Sequence, residues 1–474
     1  MDFLPILLWS DLLIWLLVLA ALVLGGWSAR NPLLRAAWRR VGRSRAGMAS
    51  ATVLIVFVVV GLLDSLHYRP RLESRAGQPT AYAVEVLSLL DALLTPLRTR
   101  SEKTYSAPLA TRAYAKEAID SRDADGQLRQ RRDYPRLKYG GAHLGADEAR
   151  RDADVGQRLW RGLAIALVVW SAVAAATTAA LARAAGASPG EAWRRIWRNE
   201  CDFAWNAVLA TSAALLLLAS SIATLAVDYH VFGTDKVGQD VLYQIFKSVR
   251  TALVIGLLTT LVTLPLAIVF GVLAGYFRGW VDDLIQYLYT TLSSIPGVLL
   301  IAAAVLMMQV LIDTHPQWFA TAAERADLRL LALCFVLGLT SWTGLCRLLR
   351  GETLKLRELE YIQAAQSFGV ADLRIIGRHI LPNLMHLVII ALVMDFSSLV
   401  LAEAVLSYVG IGVDPTMISF GTMINNARLE LAREPMVWWS LAAAFVFLFA
   451  LVLAANLLAD AVRDAFDPRL AGAA

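Results

Sequence analysis

Residues 360–382 read Glu360-Tyr-Ile-Gln-Ala-Ala-Gln-Ser-Phe-Gly369-Val-Ala-Asp-Leu-Arg-Ile-Ile-Gly-Arg-His-Ile-Leu-Pro382, a polar, amphipathic stretch inside a chain that is otherwise strongly apolar. Ile362, Ala365 and Phe368 with Gly369 fall on one helical face. Gly369 can take the left-handed conformation that ends a helix. Leu373, Ile376 and Ile380 then recur at helical spacing, and Pro382 opens the next segment. The pattern predicts a helix–turn–helix between two apolar runs. Such order is more than a connection needs; it suits a surface gripped by another protein.

The rest of the chain is membrane-like. Of 474 residues, 58% are hydrophobic, and the mean hydropathy is +0.56. Soluble domains of this length do not carry that much apolar surface. A net charge of +5 and a pI near 9.1 would suit nucleic acid. The arginines sit beside apolar runs, however, so membrane orientation accounts for them and a nucleic-acid partner is not expected. Cys201, Cys334 and Cys346 lie in or next to apolar runs with no metal spacing, so neither a metal site nor a disulfide framework is expected.

A bilayer core of roughly 30 Å takes about 20 apolar residues per helix. The runs that meet this are Leu4–Gly26, Gly47–Leu66, Leu159–Leu181, Phe203–Val227 and Ala252–Phe277, then Leu284–Ile312, Leu328–Leu348, Leu384–Val409 and Val437–Val462. The first is too long for a signal-peptide core and lacks preceding basic residues, so it is read as a retained helix. The seventh is interrupted by Gly338 and Gly344. Basic clusters lie between spans one and two (Arg30, Arg35, Arg39, Arg40, Arg43, Arg45), between three and four (Arg183, Arg194, Arg195, Arg198), and between seven and eight (Arg350, Lys355, Arg357, Arg374, Arg378). Short basic loops stay in the cytoplasm. All three clusters fall on one side if the helices alternate and the N-terminus is outside.

The expected organisation is N-terminal transmembrane helices over 1–66, an extracytoplasmic insertion over 67–158, an extra transmembrane helix with a basic cytoplasmic linker over 159–200, and a core over 201–474 that contains the 350–382 loop. Within the insertion, Ala81–Leu97 reads as an amphipathic run along the membrane surface. Arg98–Asp154 is polar and mixed in charge; partial disorder and a small cap held by partners fit it equally. Asp228, Tyr229 and His230 read as a solvated boundary, the histidines being too scattered for a metal site. Asp395 and Glu403 are carboxylates inside the eighth span. At about 1.5 Å per residue Asp395 lies near mid-membrane and Glu403 near the outer edge. Intramembrane acids usually face a cavity or a partner; a helix–helix hydrogen bond is the alternative for Asp395, and a plain interfacial position the alternative for Glu403. No Gly-x-x-x-x-Gly-Lys-Ser/Thr loop or His-Glu-x-x-His occurs in the sequence, so catalytic residues are not expected.

The opening stretch resembles the coupling loop of ABC-importer permeases, whose pattern is Glu-Ala-Ala, three residues, Gly, and Leu-Pro about a dozen residues later. Gln363-Ala364-Ala365 stands at the triplet, Gly369 at the glycine, and Leu381-Pro382 at the end. Gly233-Thr234-Asp235-Lys-Val-Gly238-Gln239-Asp240 is similar to the Gly-Thr-Asp-x-x-Gly-Arg-Asp of the peptide/nickel importers, with Gln239 for arginine. Ala402-Glu403-Ala404-Val-Leu-Ser407-Tyr-Val-Gly410-Ile-Gly412 resembles that family's eighth-span ending, and Asp460-Ala-Val-Arg463-Asp464-Ala-Phe-Asp467-Pro468-Arg469-Leu470 its C-terminus. Four motifs in order over Cys201–Leu470 point to the second, "C-type" permease of these importers.

The resemblance implies an all-α type I importer fold, a six-helix core with about three added N-terminal helices, in the bacterial inner membrane. The family's first helix corresponds either to the second span or to Phe203–Val227. The resemblance also implies a second homologous permease, two ATPase subunits that bind the ATP and magnesium, a periplasmic binding protein, and no cofactor on this chain. The loop would dock on an ATPase through apolar anchors such as Phe368 and Ile376 with Arg374 and Arg378 at the rim. Gln363, in place of the family's acid, leaves that grip to shape more than charge. Gly233–Asp240 has a structural reading, a glycine turn with Asp240 capping a helix that lies at the outer interface, and a functional one, closing an outer gate beneath the binding protein. The implied cargo is a di- or oligopeptide. Nickel, glutathione and antimicrobial peptides are alternatives, and a non-transporting membrane scaffold or sensor is the alternative of another class.

Overall fold

The computed structural model describes residues 3–72, 82–122, 128–145, 147–319 and 321–466. Among these, nine helices are long and apolar enough to cross a bilayer: Trp9–Gly26, Arg45–Asp64, Glu148–Ala185, Trp205–Ala226, Val241–Phe277, Gly297–Thr314, Ala322–Arg357, Asp372–Val409 and Trp439–Phe466. In lipid a helix satisfies its own backbone, so apolar runs of this length fold no other way unless they close into a barrel.

The boundaries depart from expectation in three places. The sixth run is not one span: helix Gly279–Ser294 ends at Ile295, and Pro296 starts Gly297–Thr314. Proline disfavours helical geometry in the residue before it, and Ile295 is accordingly extended. No separate interfacial helix begins at Val241, because Val241–Phe277 is continuous over 37 residues despite Pro265. Nor is Ala81–Leu97 one amphipathic run. Ala81 lies outside the described residues, and a strand at Leu87–Ser88 leads into two short helices, Leu89–Leu93 and Thr95–Thr99.

The chain forms two compact units, each discontinuous in sequence. The first comprises 1–4, 42–250 and 418–454; the second comprises 5–41, 251–417 and 455–474.

In the first unit, helices Arg45–Asp64, Arg151–Ala185 and Trp205–Ala226 pack side by side. Gly162 lets Arg151–Ala185 approach its neighbour closely: a Cβ there would lie 2.9 Å from the Ser221 Cα. Small residues at such crossings are how membrane helices gain close packing. Trp170 donates its indole N–H to the Leu209 carbonyl at 2.9 Å. The insertion is an ordered part of this unit wherever it is described. It includes an antiparallel hairpin, Glu117–Arg122 with Leu128–Asp133, and buried Tyr105, Ser106 and Leu137.

In the second unit the core gathers Val272, Ala274, Tyr276, Leu345, Cys346, Leu349, Ile362, Ile375, Ile380 and Leu384. Gly271 and Gly275, one turn apart, admit helix Thr343–Arg357: a Cβ on either would lie 2.8 Å from the carbonyl of Cys346 or Arg350. Arg350 grips Asp282 with two bonds of 2.6 and 2.7 Å. The N-terminal span is fastened here too, through the Ser10 amide and hydroxyl, both bonded to the buried Asp327 carboxylate.

Candidate functional site

In the second unit, the stretch that opened the sequence is a helix, a turn and a second helix, as its spacing predicts. Helix Glu360–Ser367 stops because Gly369 takes φ +73°. The Val370 amide then reaches back to the Ala365 carbonyl at 3.1 Å and the Gly369 amide to Gln366 at 2.9 Å. Val370 and Ala365 both pack on the core, which completes the helix-ending motif. The chain re-enters at Asp372–Ile375 and passes through a π-helical turn, Ile376–Ile380, into Leu381–Val409. Pro382 explains the wide turn: a proline ring clashes with the carbonyl one α-turn back, and the wider turn relieves this.

The loop divides into two faces. Ile362, Ile375 and Ile380 are fully buried in the core. Ile376 also leans on it, so its expected role as an outward anchor is not what its packing supports. Leu373 is 77% exposed, and Phe368 is 87% exposed. Gln363, Ala364, Gly369, Arg374, Arg378 and Pro382 are exposed beside them, with Ala365 and Leu381 half-buried. Polar bonds hold the loop to the end of helix Val241–Phe277: the Tyr276 hydroxyl donates to Asp372 at 2.7 Å and accepts from Gln366 at 3.2 Å. Gln363 donates to the Glu358 carbonyl at 3.3 Å, and Glu358 pairs with Arg278. Two exposed apolar side chains and two exposed arginines thus stand on a surface whose underside is fixed.

In the first unit, the Gly233–Asp240 segment is a tight loop. Gly233 and Gly238 have φ of +71° and +75°. The Asp235 carboxylate accepts the amides of Val237 and Gln239 at 2.9 Å, and Asp240 caps helix Val241–Phe277 through the Leu242 amide at 2.8 Å. The loop also holds the insertion. The Thr234 hydroxyl accepts from the Ser106 amide at 2.7 Å and donates to the Thr104 carbonyl at 2.9 Å. The Glu102 amide donates to Gly238 at 2.9 Å, and a Cβ on Gly238 would overlap the Glu102 carbonyl. Trp439 donates to the Thr234 carbonyl at 3.0 Å.

Asp228, Tyr229 and His230 are not a solvated boundary. His230 is 4% exposed and lies between two buried acids, Asp240 at 2.7 Å from Nδ1 and Glu102 at 3.4 Å from Nε2. Glu102 also accepts the amides of Lys138, Tyr139 and Gly140 at 2.8, 2.8 and 3.1 Å. Burial alone would raise Glu102, but His230 and those amides hold it at about 2. Burial alone would lower His230, but the two carboxylates raise it to about 9, so it is the cation of the cluster. Asp228 pairs with Arg158 at 2.6 Å, and Tyr229 donates to Asp154 at 2.9 Å. A third cluster has Lys247 between Asp64 at 2.6 Å and Asp91 at 3.1 Å, with Tyr243 donating to Asp91. Each group is unremarkable in sequence, and partners such as Glu102 and His230 lie 128 residues apart.

The intramembrane acids differ. Glu403 is 1% exposed and accepts the Ser407 hydroxyl at 2.6 Å. Ser407 in turn lies where a Cβ on Gly412 would overlap it, so the 402–412 motif forms a compact helix end. Asp395 is half-buried, and its carboxylate has no hydrogen-bond or ion-pair partner among the described residues. The C-terminal motif is helical through Phe466, while Asp467, Pro468, Arg469 and Leu470 lie outside the described residues. No group of three or more metal-ligating side chains occurs among the described residues.

Residues 267–472 match the family described as "Binding-protein-dependent transport system inner membrane component". The glutathione transport system permease protein GsiD of Pectobacterium atrosepticum is 32% identical over 301 residues, which cover 59% of this chain and 91% of that protein. This chain belongs to that family. Other relatives of the permease are the dipeptide transport system permease protein DppC of Bacillus subtilis and the oligopeptide transport system permease protein OppC of Mycobacterium tuberculosis. DppC is 26% identical over 59% of this chain and 85% of its own length; OppC is 31% identical over 50% of this chain and 76% of its own. A solved structure of the MetNI methionine ABC transporter overlaps 47% of this chain and 96% of its own at 16% identity and a TM-score of 0.33, a likeness too slight to argue from. The permease is thus a mostly helical, multi-pass protein of the bacterial inner membrane.

Proposed function

We propose that this permease carries di- or oligopeptides from periplasm to cytoplasm as one of two unlike membrane subunits, powered by two separate ATPase subunits and fed by a periplasmic binding protein. The observation that carries the reading is the 360–382 loop. Its inner face is locked to the core by Ile362, Ile375, Ile380 and the Tyr276 bonds, while Phe368 and Leu373 stand exposed. Such a loop moves as a rigid body with the helices it is bolted to, which is what transmission of nucleotide-driven closure requires. The sequence holds no phosphate loop, so the ATP and magnesium would sit on the partners.

Gly233–Asp240, tied to the insertion at Ser106 and Glu102, forms the outer gate beneath the binding protein in this reading. Asp395 lines the pathway and meets the free amine of a peptide or another cationic group; a half-buried carboxylate with no partner among the described residues supports this. Glutathione, itself a peptide, is the second reading, supported by the 32% identity to GsiD.

Two experiments test these assignments. The assembled transporter is purified through a tag on this chain, and ATP hydrolysis is followed in vesicles with and without binding protein. Retained ATPase subunits and stimulation that Gly369→Pro abolishes are expected; no retained ATPase, or coupling intact in the variant, refutes the reading. Separately, Asp395→Ala is expected to lower peptide uptake at least tenfold with ATPase assembly unchanged. Uptake at the wild-type rate removes Asp395 from the pathway.

A further inference from the structure

We propose that helix Pro32–Arg43 is a binding element for the headgroups of anionic phospholipids. The helix lies between candidate spans Trp9–Gly26 and Arg45–Asp64, which sets it at the bilayer surface. It carries Arg35, Arg39, Arg40 and Arg43, and no acidic residue occurs between Asp11 and Asp64. Its apolar side is occupied: Val41 is buried against Val462 and Ala465, and Trp38 meets the Phe466 ring at 5.5 Å. The arginine side is not. Arg35, Arg39 and Arg40 are exposed and have no hydrogen-bond or ion-pair partner among the described residues. Arg43 meets Asp202 at 3.4 Å with both side chains largely in solvent. Asp460 and Asp464, the acids near Val462 and Ala465, pair with none of these arginines.

The chemistry selects the occupant. A guanidinium offers a fork of donors that matches phosphate, and three of them with no acidic partner among the described residues form a strongly cationic strip. Trp38, 44% exposed on the same helix, is a residue suited to the headgroup boundary. At the bilayer surface the anion at hand is the lipid phosphodiester, and each arginine close to an anionic surface is worth about fivefold in binding. The inference rests on the membrane placement of the chain and is independent of what it transports.

The test uses the full chain in mild detergent, titrated with phosphatidylglycerol or phosphatidylcholine, and counts retained lipids by native mass spectrometry. The wild type is expected to prefer phosphatidylglycerol, with a preference that weakens as salt rises. Arg35→Gln/Arg39→Gln/Arg40→Gln should lose that preference by on the order of a hundredfold, while Arg35→Lys/Arg39→Lys/Arg40→Lys keeps most of it. The Lys variant also shows whether the substituted helix still folds. Equal retention of the two lipids by the wild type, or an undiminished preference in the Gln variant, overturns the proposal. So does a Gln variant that keeps its lipid and loses a protein subunit, since the strip would then be a protein dock.

Discussion

The His230 cluster makes a prediction that can be worked from the structure. His230 stands at about 9 against an ordinary 6.5 because two buried carboxylates flank it. At 1.36 kcal/mol per pH unit this corresponds to about 3 kcal/mol of stability. The depressed Glu102 shares the His230 interaction, beside its three amide bonds, so the two figures are not added. A raised histidine contributes fully below its unfolded value and loses the contribution as pH rises through the folded one. A depressed acid contributes above its unfolded value, 4.5, and loses the contribution as pH falls through about 2. The cluster is therefore strongest between roughly pH 4.5 and 6.5, keeps about 2 kcal/mol at pH 7.5, and is spent above pH 9.

His230→Ala removes the cation and leaves Glu102 and Asp240 buried without it. Amide hydrogen exchange is the assay, read at Lys138, Tyr139 and Gly140, which donate to Glu102, and at Leu242, which donates to Asp240. At pH 7.5 their protection should fall by on the order of thirtyfold, the equivalent of about 2 kcal/mol. Protection in the wild type should also decline from pH 6.5 to 9.5 after correction for the intrinsic rate, and the two proteins should converge there. Equal protection at pH 7.5, or the same pH dependence in the variant, would refute the assignment of His230 as the cation that holds the insertion.

Further outcomes follow from the same contacts. Gly238→Ala places a Cβ on the Glu102 carbonyl at a φ of +75°, so the loop must open; protease cleavage within the insertion should rise at least tenfold while the nine spans still insert. If the insertion stays resistant, the close approach of Gly238 is not what seats it. Gly275→Val drives two methyls toward Thr353 and the Arg350 carbonyl, and overpacking of that kind costs about 1–3 kcal/mol. The apparent Tm in detergent should drop by several degrees, whereas Gly351→Ala, where a Cβ meets nothing within 4 Å, should leave it unchanged.

Much of the permease is legible in one dimension. Gly369 and Leu381-Pro382 announce the loop's turn and re-entry because a left-handed residue and a missing N–H are local properties of the chain. The nine spans are legible for a similar reason: lipid offers no partner to a bare backbone, so length and apolarity alone decide. The misreadings share a different cause. Leu373 and Ile376 have the same helical spacing, and only tertiary packing decides that one is 77% exposed while the other leans on the core. His230 reads as a polar residue after a span until Glu102, 128 residues earlier, closes on it.

By itself, then, the sequence determined the membrane class, the runs long and apolar enough to span a bilayer, and the loop with its glycine turn and proline re-entry. Each depends on local stereochemistry or on transfer from water to lipid, which act residue by residue. The tertiary structure alone decided which loop residues face outward, which of two intramembrane acids is partnered, and that the insertion is fastened by buried charge clusters rather than carried loosely. Those outcomes depend on distances between residues far apart in the chain. A buried ion pair is stable only when every partner arrives, and no short window of sequence contains them all.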